Sequence, residues 1–375
     1  MLSVSFPAKS RSAQPEPTHV EVVSSPLPWW ALLVALIVAG VLAAAMAQFS
    51  IGAAPTSAEW KHLTGQRLDD HGYALGQIFS GQAHQADLVI LGTSAAREAL
   101  PADSELATTL LGDNQALRSI ANLATSSQSL TDTLYLADAT APRRGQWFVV
   151  FLSFSSLRQK NPFDTLERGY YLHAPQAIME KYGNREVFPK HWYDPFNRLL
   201  YRWRAVRHQW GRQLEYRLNH WIAEWVYGRS ISPYQPHRHA AKTSPAKAKK
   251  ATLFNELDRD FKLHYSANLP YAVPTINALA TLLNRSGARL VFATPPEFNR
   301  EIRNRFSVEY HEFDTRIRDL QSEFGFELLN LNDSITWSEA DFVDLVHVSR
   351  TGREKWTRAL GEWLRTGDRA TISKR

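Results

Sequence analysis

Residues 87–97 read DLVILGTSAAR: an apolar run, then a turn of small residues, then the start of a helical pattern. The chain repeats this alternation, and further strand-like runs are RSIANL (118–123), WFVVFLS (147–153), RLVFAT (289–294) and FELLNL (326–331). Runs this short and this apolar are typical of parallel strands buried on both faces. We therefore predict an α/β fold with a doubly wound, mainly parallel five-stranded sheet, with helices over 275–286, 298–324 and 352–366.

The composition excludes several classes of protein. With 375 residues, 44% hydrophobic and 21% charged, the chain has room for two domains, or for one large domain with an insertion, and enough apolar residues to bury a core. A mean hydropathy of −0.34 excludes a multi-pass transporter. The chain has no cysteine, which excludes disulfides, thiolate zinc sites and a cysteine nucleophile. The net charge of +6 is mild and does not indicate a nucleic-acid partner.

One segment near the N-terminus has the properties of a membrane anchor. Trp29–Ala47 is wholly apolar or glycine, and a helix of that length reaches about 28 Å, close to the ~30 Å hydrocarbon core. Trp29 and Trp30 stand where interfacial aromatic residues belong. We predict an anchor over 28–48 after a disordered tail, 1–27. A signal peptide cleaved behind Ala47 is the alternative.

After the anchor, residues 60–160 and 272–368 are predicted to form the α/β domain, interrupted by an aromatic and basic helical insertion, 161–271. In the insertion Trp203, Val206 and Trp210 give a helix one apolar face. That face fits a cap packed on the core, or a helix lying on a membrane or a membrane partner. Residues 229–250 contain no acidic residue and are predicted to be a flexible basic loop.

Two short motifs contain residues suited to catalysis. Ser94 follows the first predicted strand, at the edge of the sheet where such folds place their active sites. Asp344 precedes His347 by three residues, after the last strand. A serine hydroxyl needs a base within hydrogen-bond reach, and a carboxylate can orient that base. The alternatives are that Ser94 is a helix N-cap and that Asp344 and His347 are ordinary loop residues.

The order G-x-S near the start and D-x-x-H near the end resembles the SGNH/GDSL hydrolase superfamily. The match leans towards membrane-anchored extracytoplasmic members, such as the D-alanyl-transfer protein of the teichoic-acid pathway and envelope polysaccharide O-acetyltransferases. It covers roughly 87–130, 147–158 and 289–364. The resemblance implies Ser94 as nucleophile, His347 as general base and Asp344 as its orienting partner.

The chain departs from the family at the oxyanion hole. The usual GDS reads GTS, the block that normally supplies a glycine amide reads NLATSS (122–127), and the asparagine block reads LSFSS (152–156). The remaining candidates to bind the oxyanion or substrate are the Ser94 amide, the backbone at Ala124 and Thr125, and the hydroxyls of Ser153 and Ser155. Losing one oxyanion donor typically costs on the order of 100-fold in rate.

The resemblance implies a serine acyltransferase, carrying acetyl or aminoacyl groups, that is anchored in the cytoplasmic membrane with its large domain facing the periplasm or exterior. Its expected partners are a cell-envelope polysaccharide or other glycopolymer and a multi-pass acyltransferase of the MBOAT type. An envelope carbohydrate esterase and a non-catalytic assembly factor are the alternatives. We predict no cofactor and no metal, and interpret Asp69-Asp70-His71 as a surface turn and His237-x-His239 as part of a solvated tract.

Overall fold

The computed structural model describes residues 28–51, 70–100, 117, 119–153, 156, 222, 225–226, 271–297, 303–344 and 347–372. The predicted tail 1–27 and the predicted loop 229–250 lie outside the described residues. So does almost all of the insertion 161–271, including Trp203, Val206 and Trp210; of its residues, Ile222, Trp225 and Val226 are described, as helical and exposed. The chain divides into two compact units, Met1–Phe49 and Ser50–Arg375.

The N-terminal unit contains one long helix, α1, which spans Trp29–Ile51 and so covers the predicted anchor segment. Its side chains are described from Trp29 to Leu42, and nearly all of them are exposed. Within the described part of the chain, no helix combines the length and the apolar character that crossing a bilayer requires.

The second unit contains the predicted sheet. Its five strands are all parallel and lie in the order β2-β1-β3-β4-β5. Each strand falls inside its predicted run but is shorter than that run, because the flanking residues turn into the loops. The strands are β1 (Leu88–Leu91), β2 (Ile120–Asn122), β3 (Trp147–Phe151), β4 (Arg289–Ala293) and β5 (Glu327–Leu329).

Helices cover both faces of this sheet, as the burial of its strands requires. The helices are α2 (Asp70–Phe79), α3 (Gln82–Gln85), α4 (Ser94–Ala99), α5 (Leu130–Ala139), α6 (271–286), α7 (Ser307–Phe324) and α8 (Arg350–Ile372). One core layer joins Val89 and Leu91 to α2, α5, α6 and α7. The other joins Leu88 and Ile90 to α4 and α8. Successive side chains of β1 therefore pack alternately into two core layers, one on each face of the sheet.

The strand order decides where a ligand can bind. The chain moves outward from β1 to β2 and then returns to the other side of β1 for β3. In doubly wound sheets this reversal opens a crevice at the carboxyl ends of the strands, where ligands bind. Ser94 begins the helix that follows β1, so the fold places it at this crevice.

Candidate active site

Ser94 is positioned by the turn between β1 and α4. Thr93 is the N-cap residue, with extended backbone, and Ser94 is the first helical residue. The alternative interpretation of Ser94 as an N-cap is therefore wrong. Its hydroxyl is directed elsewhere: Oγ lies 2.9 Å from Nε2 of His347, a residue 253 positions further along the chain.

Gly92 allows this turn to pack closely. Its φ is +144°, and a Cβ atom there would lie 2.8 Å from Cβ of Phe151 and 3.0 Å from Cβ of Ala96. Real Cβ atoms do not approach one another this closely, so only glycine fits between β3 and α4. The Gly92 amide donates to the buried side chain of Gln128, and its carbonyl accepts from the Thr125 amide at 3.0 Å. The nucleophile turn is thereby joined to the loop after β2.

His347 is held by a short hairpin before α8. Phe342 and Val348 form an antiparallel bridge, and the Val343 amide donates to the His347 carbonyl at 2.7 Å. Asp344 binds His347 at two points. Its Oδ1 accepts from the His347 amide and its Oδ2 faces Nδ1 of the ring, each at 2.8 Å. One carboxylate thus fixes both the backbone and the ring of His347.

The structure therefore brings Ser94, His347 and Asp344 into one chain of hydrogen bonds. With the Nδ1 proton donated to Asp344, the Nε2 atom of His347 is the acceptor that faces Ser94. The side chains of His347 and Asp344 are 29% and 19% exposed, so the arrangement is open to a substrate without being fully solvated. This is the geometry that a serine nucleophile and its general base require.

The base of the hairpin is fixed to α8. Asp341 is buried and accepts from Lys355 at 2.7 Å and from the amide and hydroxyl of Ser338, both at 2.8 Å. Burial by itself would raise the pKa of Asp341, but the bonds from Lys355 and Ser338 hold it below the usual value. A Cβ atom on Gly352 would overlap the Asp341 carbonyl oxygen, so α8 packs against this turn through a glycine.

The predicted oxyanion donors at Ala124 and Thr125 are already engaged within the fold. The Ala124 amide donates to Oδ1 of Asn122 at 3.1 Å, and the Thr125 amide donates to the Gly92 carbonyl. Ser153 is buried, and its Oγ lies 3.0 Å from Oγ of Ser156. Ser155 lies outside the described residues. A developing oxyanion would have to displace an internal hydrogen bond in order to use either amide.

Sequence reasoning missed Ser127 in the same loop. Its φ is +56°, the left-handed region that glycine adopts most easily. A polar residue in a serine-rich turn has this conformation too rarely for sequence to reveal it. At the other side of the site, the Ser94 amide lies in the first turn of α4, where amides have no partner within the helix.

Asp70 and His71 are buried, so the interpretation of Asp69-Asp70-His71 as a surface turn is wrong for these two residues. Asp70 accepts from Arg97 and from the Ser126 amide, and Arg97 also donates to Oγ of Ser126 at 2.9 Å. Burial alone would raise the pKa of Asp70, but His71, Ser126 and Arg97 hold it below the usual value. Burial lowers the pKa of His71 to about 4. The network thus fixes the loop after β2 to the helix of the nucleophile.

A second acid continues this network on the other side of Arg97. Glu98 accepts from Arg97 at 3.0 Å, and its other oxygen lies 3.5 Å from Arg353 on α8. Arg97 is buried and Arg353 is partly buried, and the buried carboxylates of Asp70 and Glu98 supply the two matching negative charges. Among the described residues, no cluster of three or more acidic or histidine side chains could hold a metal ion. His237 and His239 lie outside them.

Comparison with known proteins finds no family model that matches this chain and no curated protein that matches it.

Proposed function

We propose that this protein is a serine acyltransferase or esterase whose catalytic residues are Ser94, His347 and Asp344. The observation that carries the proposal is the pair of contacts at His347: Nε2 is 2.9 Å from Ser94 Oγ, and Nδ1 is 2.8 Å from Asp344 Oδ2. Each residue has the role that its contact permits. Ser94 is the nucleophile, His347 is the general base, and Asp344 sets the tautomer and stabilises the imidazolium.

The reaction proceeds in two halves. Ser94 Oγ attacks the acyl carbonyl while its proton passes to His347 Nε2. The tetrahedral oxyanion then collapses, the donor's alkoxide leaves, and the imidazolium returns the proton to it. In the second half His347 takes the proton of an acceptor hydroxyl, whose oxygen attacks the Ser94 ester. The tetrahedral intermediate collapses, the bond between the acyl carbon and Ser94 Oγ breaks, and the imidazolium returns the proton to Oγ. Water as the acceptor gives hydrolysis, and a sugar or polyol hydroxyl gives transfer.

The acceptor that we propose is a cell-envelope polysaccharide or other glycopolymer. The apolar segment 28–48 serves as a single-pass membrane anchor, with the α/β domain on the periplasmic or outer side. The resemblance to extracytoplasmic SGNH-type proteins supports this placement, as do the 19 apolar or glycine residues of Trp29–Ala47 and the absence of cysteine. A multi-pass acyltransferase of the MBOAT type supplies the acyl group across the membrane. The insertion 161–271 provides a surface for that partner or for the polymer.

A non-catalytic assembly factor is the second candidate, and one observation favours it. The Ala124 and Thr125 amides, which would stabilise an oxyanion, both donate to acceptors within the fold. A scaffold that only binds polymer does not need them.

Cells that express Ser94→Ala in place of the wild type distinguish these functions. Mass spectrometry of the envelope polymers should show loss of one acyl modification with Ser94→Ala. Ser322→Ala, which removes an exposed hydroxyl on α7, should leave the modification intact. Unchanged acylation in the Ser94→Ala strain would refute the enzymatic proposal and favour the assembly factor.

A further inference from the structure

A second cleft lies at the carboxyl ends of β4 and β5, on the side of the sheet that α7 covers. Its volume is about 320 Å³, within the range of small-molecule pockets. Phe292, Phe313 and Ile317 line it and belong to the core layer opposite α4 and α8. The cleft is therefore separate from the crevice that contains Ser94, although both lie at the same edge of the sheet.

The exposed lining of the cleft is mainly polar, and its charged side chains are of both signs. Arg303 and Arg318 are matched by Asp314 and Asp333, so the formal charge of these four residues is zero. Gln321 and Asn330 also line the cleft, and their side-chain amides can both donate and accept hydrogen bonds. The lining therefore has no excess of charge that would select an anion or a cation.

Several of these groups have hydrogen-bonding capacity that the described residues leave unused. The side chains of Asp314, Arg318 and Gln321 form no hydrogen bond or ion pair within the described part of the chain. Arg303 pairs with Asp333 at 3.1 Å, but its Nε is buried and finds no acceptor among the described residues. The side chains of Asp314 and Arg318 are exposed, so a ligand can reach their unused acceptors and donors.

Glu297 lies beside the cleft, within reach of the charges of Arg303 and Asp314. It is fully buried, and neither carboxylate oxygen has a hydrogen-bond partner in the described structure. Burial raises the pKa of Glu297 to about 8, against the opposing charge of Arg303. Its amide donates to Asn332 at 3.2 Å, and Asn332 in turn donates to the Pro295 carbonyl at 2.8 Å. The loop after β4 is thus held in place beside the cleft.

From these features we infer that the cleft binds a neutral, polyhydroxylated ligand, namely a sugar unit of the glycopolymer acceptor. The guanidinium, carboxylate and amide groups suit hydroxyls, which donate and accept. The inference rests on the proposed function, since the acceptor there is a glycopolymer. Strands are ~4.8 Å apart, so two to three strand steps place the cleft roughly 10–14 Å from the strand that precedes Ser94. The cleft would therefore bind a sugar unit of the glycopolymer other than the unit whose hydroxyl reacts.

Saturation-transfer NMR on the full-length protein, in a detergent without a sugar head group, tests this inference. The probes are the neutral trisaccharides chitotriose, cellotriose and maltotriose, with the anionic trigalacturonate for comparison, each titrated to about 10 mM. At least one neutral probe should bind saturably and more tightly than trigalacturonate. Arg318→Ala and Gln321→Ala should each weaken that binding by about 10-fold, because each removes hydrogen bonds to the sugar.

Matched controls come from the same helix. Arg316→Ala and Asp319→Ala change residues of α7 that do not line the cleft, and both should bind the probe as the wild type does. The inference is overturned if no neutral probe saturates, if trigalacturonate binds more tightly, or if the control variants weaken binding equally. Ser94→Ala should retain sugar binding. If the Ser94→Ala strain loses the acyl modification but the purified protein binds no sugar, only the inference about the cleft is refuted. If the protein binds sugar but acylation is unchanged in the Ser94→Ala strain, only the enzymatic proposal is refuted.

Discussion

Replacing Asp344 with asparagine tests the catalytic geometry at a single atom. The carboxylate accepts two hydrogen bonds from His347, one from the backbone amide and one from Nδ1 of the ring, both at 2.8 Å. Asparagine keeps the size of the side chain but has only one oxygen. If that oxygen keeps the bond to the backbone amide, the NH₂ group of asparagine faces Nδ1.

The expected loss of rate follows from the tautomer. An NH₂ group facing Nδ1 forces Nδ1 to accept, which moves the ring proton to Nε2. His347 would then donate to Ser94 instead of accepting its proton. In serine proteases the same substitution lowers the catalytic rate by about 10⁴-fold, equivalent to about 5.5 kcal/mol of transition-state stabilisation. We expect Asp344→Asn to reduce the reactivity of Ser94 by a similar factor while the fold is kept.

The assay is the rate at which a fluorophosphonate probe labels the purified full-length protein, followed by mass spectrometry. Asp319→Asn, an exposed change on α7, is the control and should label at the wild-type rate. Circular dichroism should show the same helical content in both variants. A labelling rate for Asp344→Asn within about threefold of the wild type would refute the reasoning, since the carboxylate would then not control the histidine.

Three further predictions concern stability and are read from unfolding curves. Gly92→Ala should lower the free energy of unfolding by at least about 2 kcal/mol, because the new Cβ atom would lie 2.8 Å from Cβ of Phe151. An unchanged unfolding curve would contradict the packing described. Ser127→Gly should raise it by up to about 1 kcal/mol by relieving the left-handed backbone (φ +56°), and a loss of stability would count against this reading. Glu297→Gln should be stabilising relative to the wild type, increasingly so as pH rises from about 4.5 to about 8. The raised pKa means that the folded wild type keeps a proton that the unfolded chain has given up, and a stability difference that does not grow with pH would contradict this reasoning.

The sheet could be predicted from sequence because its strands are buried on both faces. The central strands β1 (LVIL) and β3 (WFVVF) are apolar at every position and buried throughout. The meeting of Ser94 with His347 followed from the same reasoning, since both motifs come after strands of one parallel sheet. The ends of the strands were less predictable. The predicted residues beyond them, such as Leu123 and Thr294, still donate backbone hydrogen bonds to the neighbouring strand but begin the loops.

Other features depend on partners that sequence does not pair. Asp70 and His71 are polar residues in a row, and only the distant Arg97 and Ser126 explain why Asp70 can be buried. Similarly, the amides of Ala124 and Thr125 were plausible oxyanion donors by position. Their engagement depends on local backbone torsions and on the register between β1 and β2, which residue types do not determine.

The most direct measurement of the central claim is the site at which a serine-reactive phosphonate attaches to the full-length protein. Peptide mapping by mass spectrometry should locate a single adduct on Ser94, and His347→Gln should abolish it without unfolding the protein. No adduct on the folded wild type, or an adduct on Ser94 that forms equally fast without His347, would contradict the account.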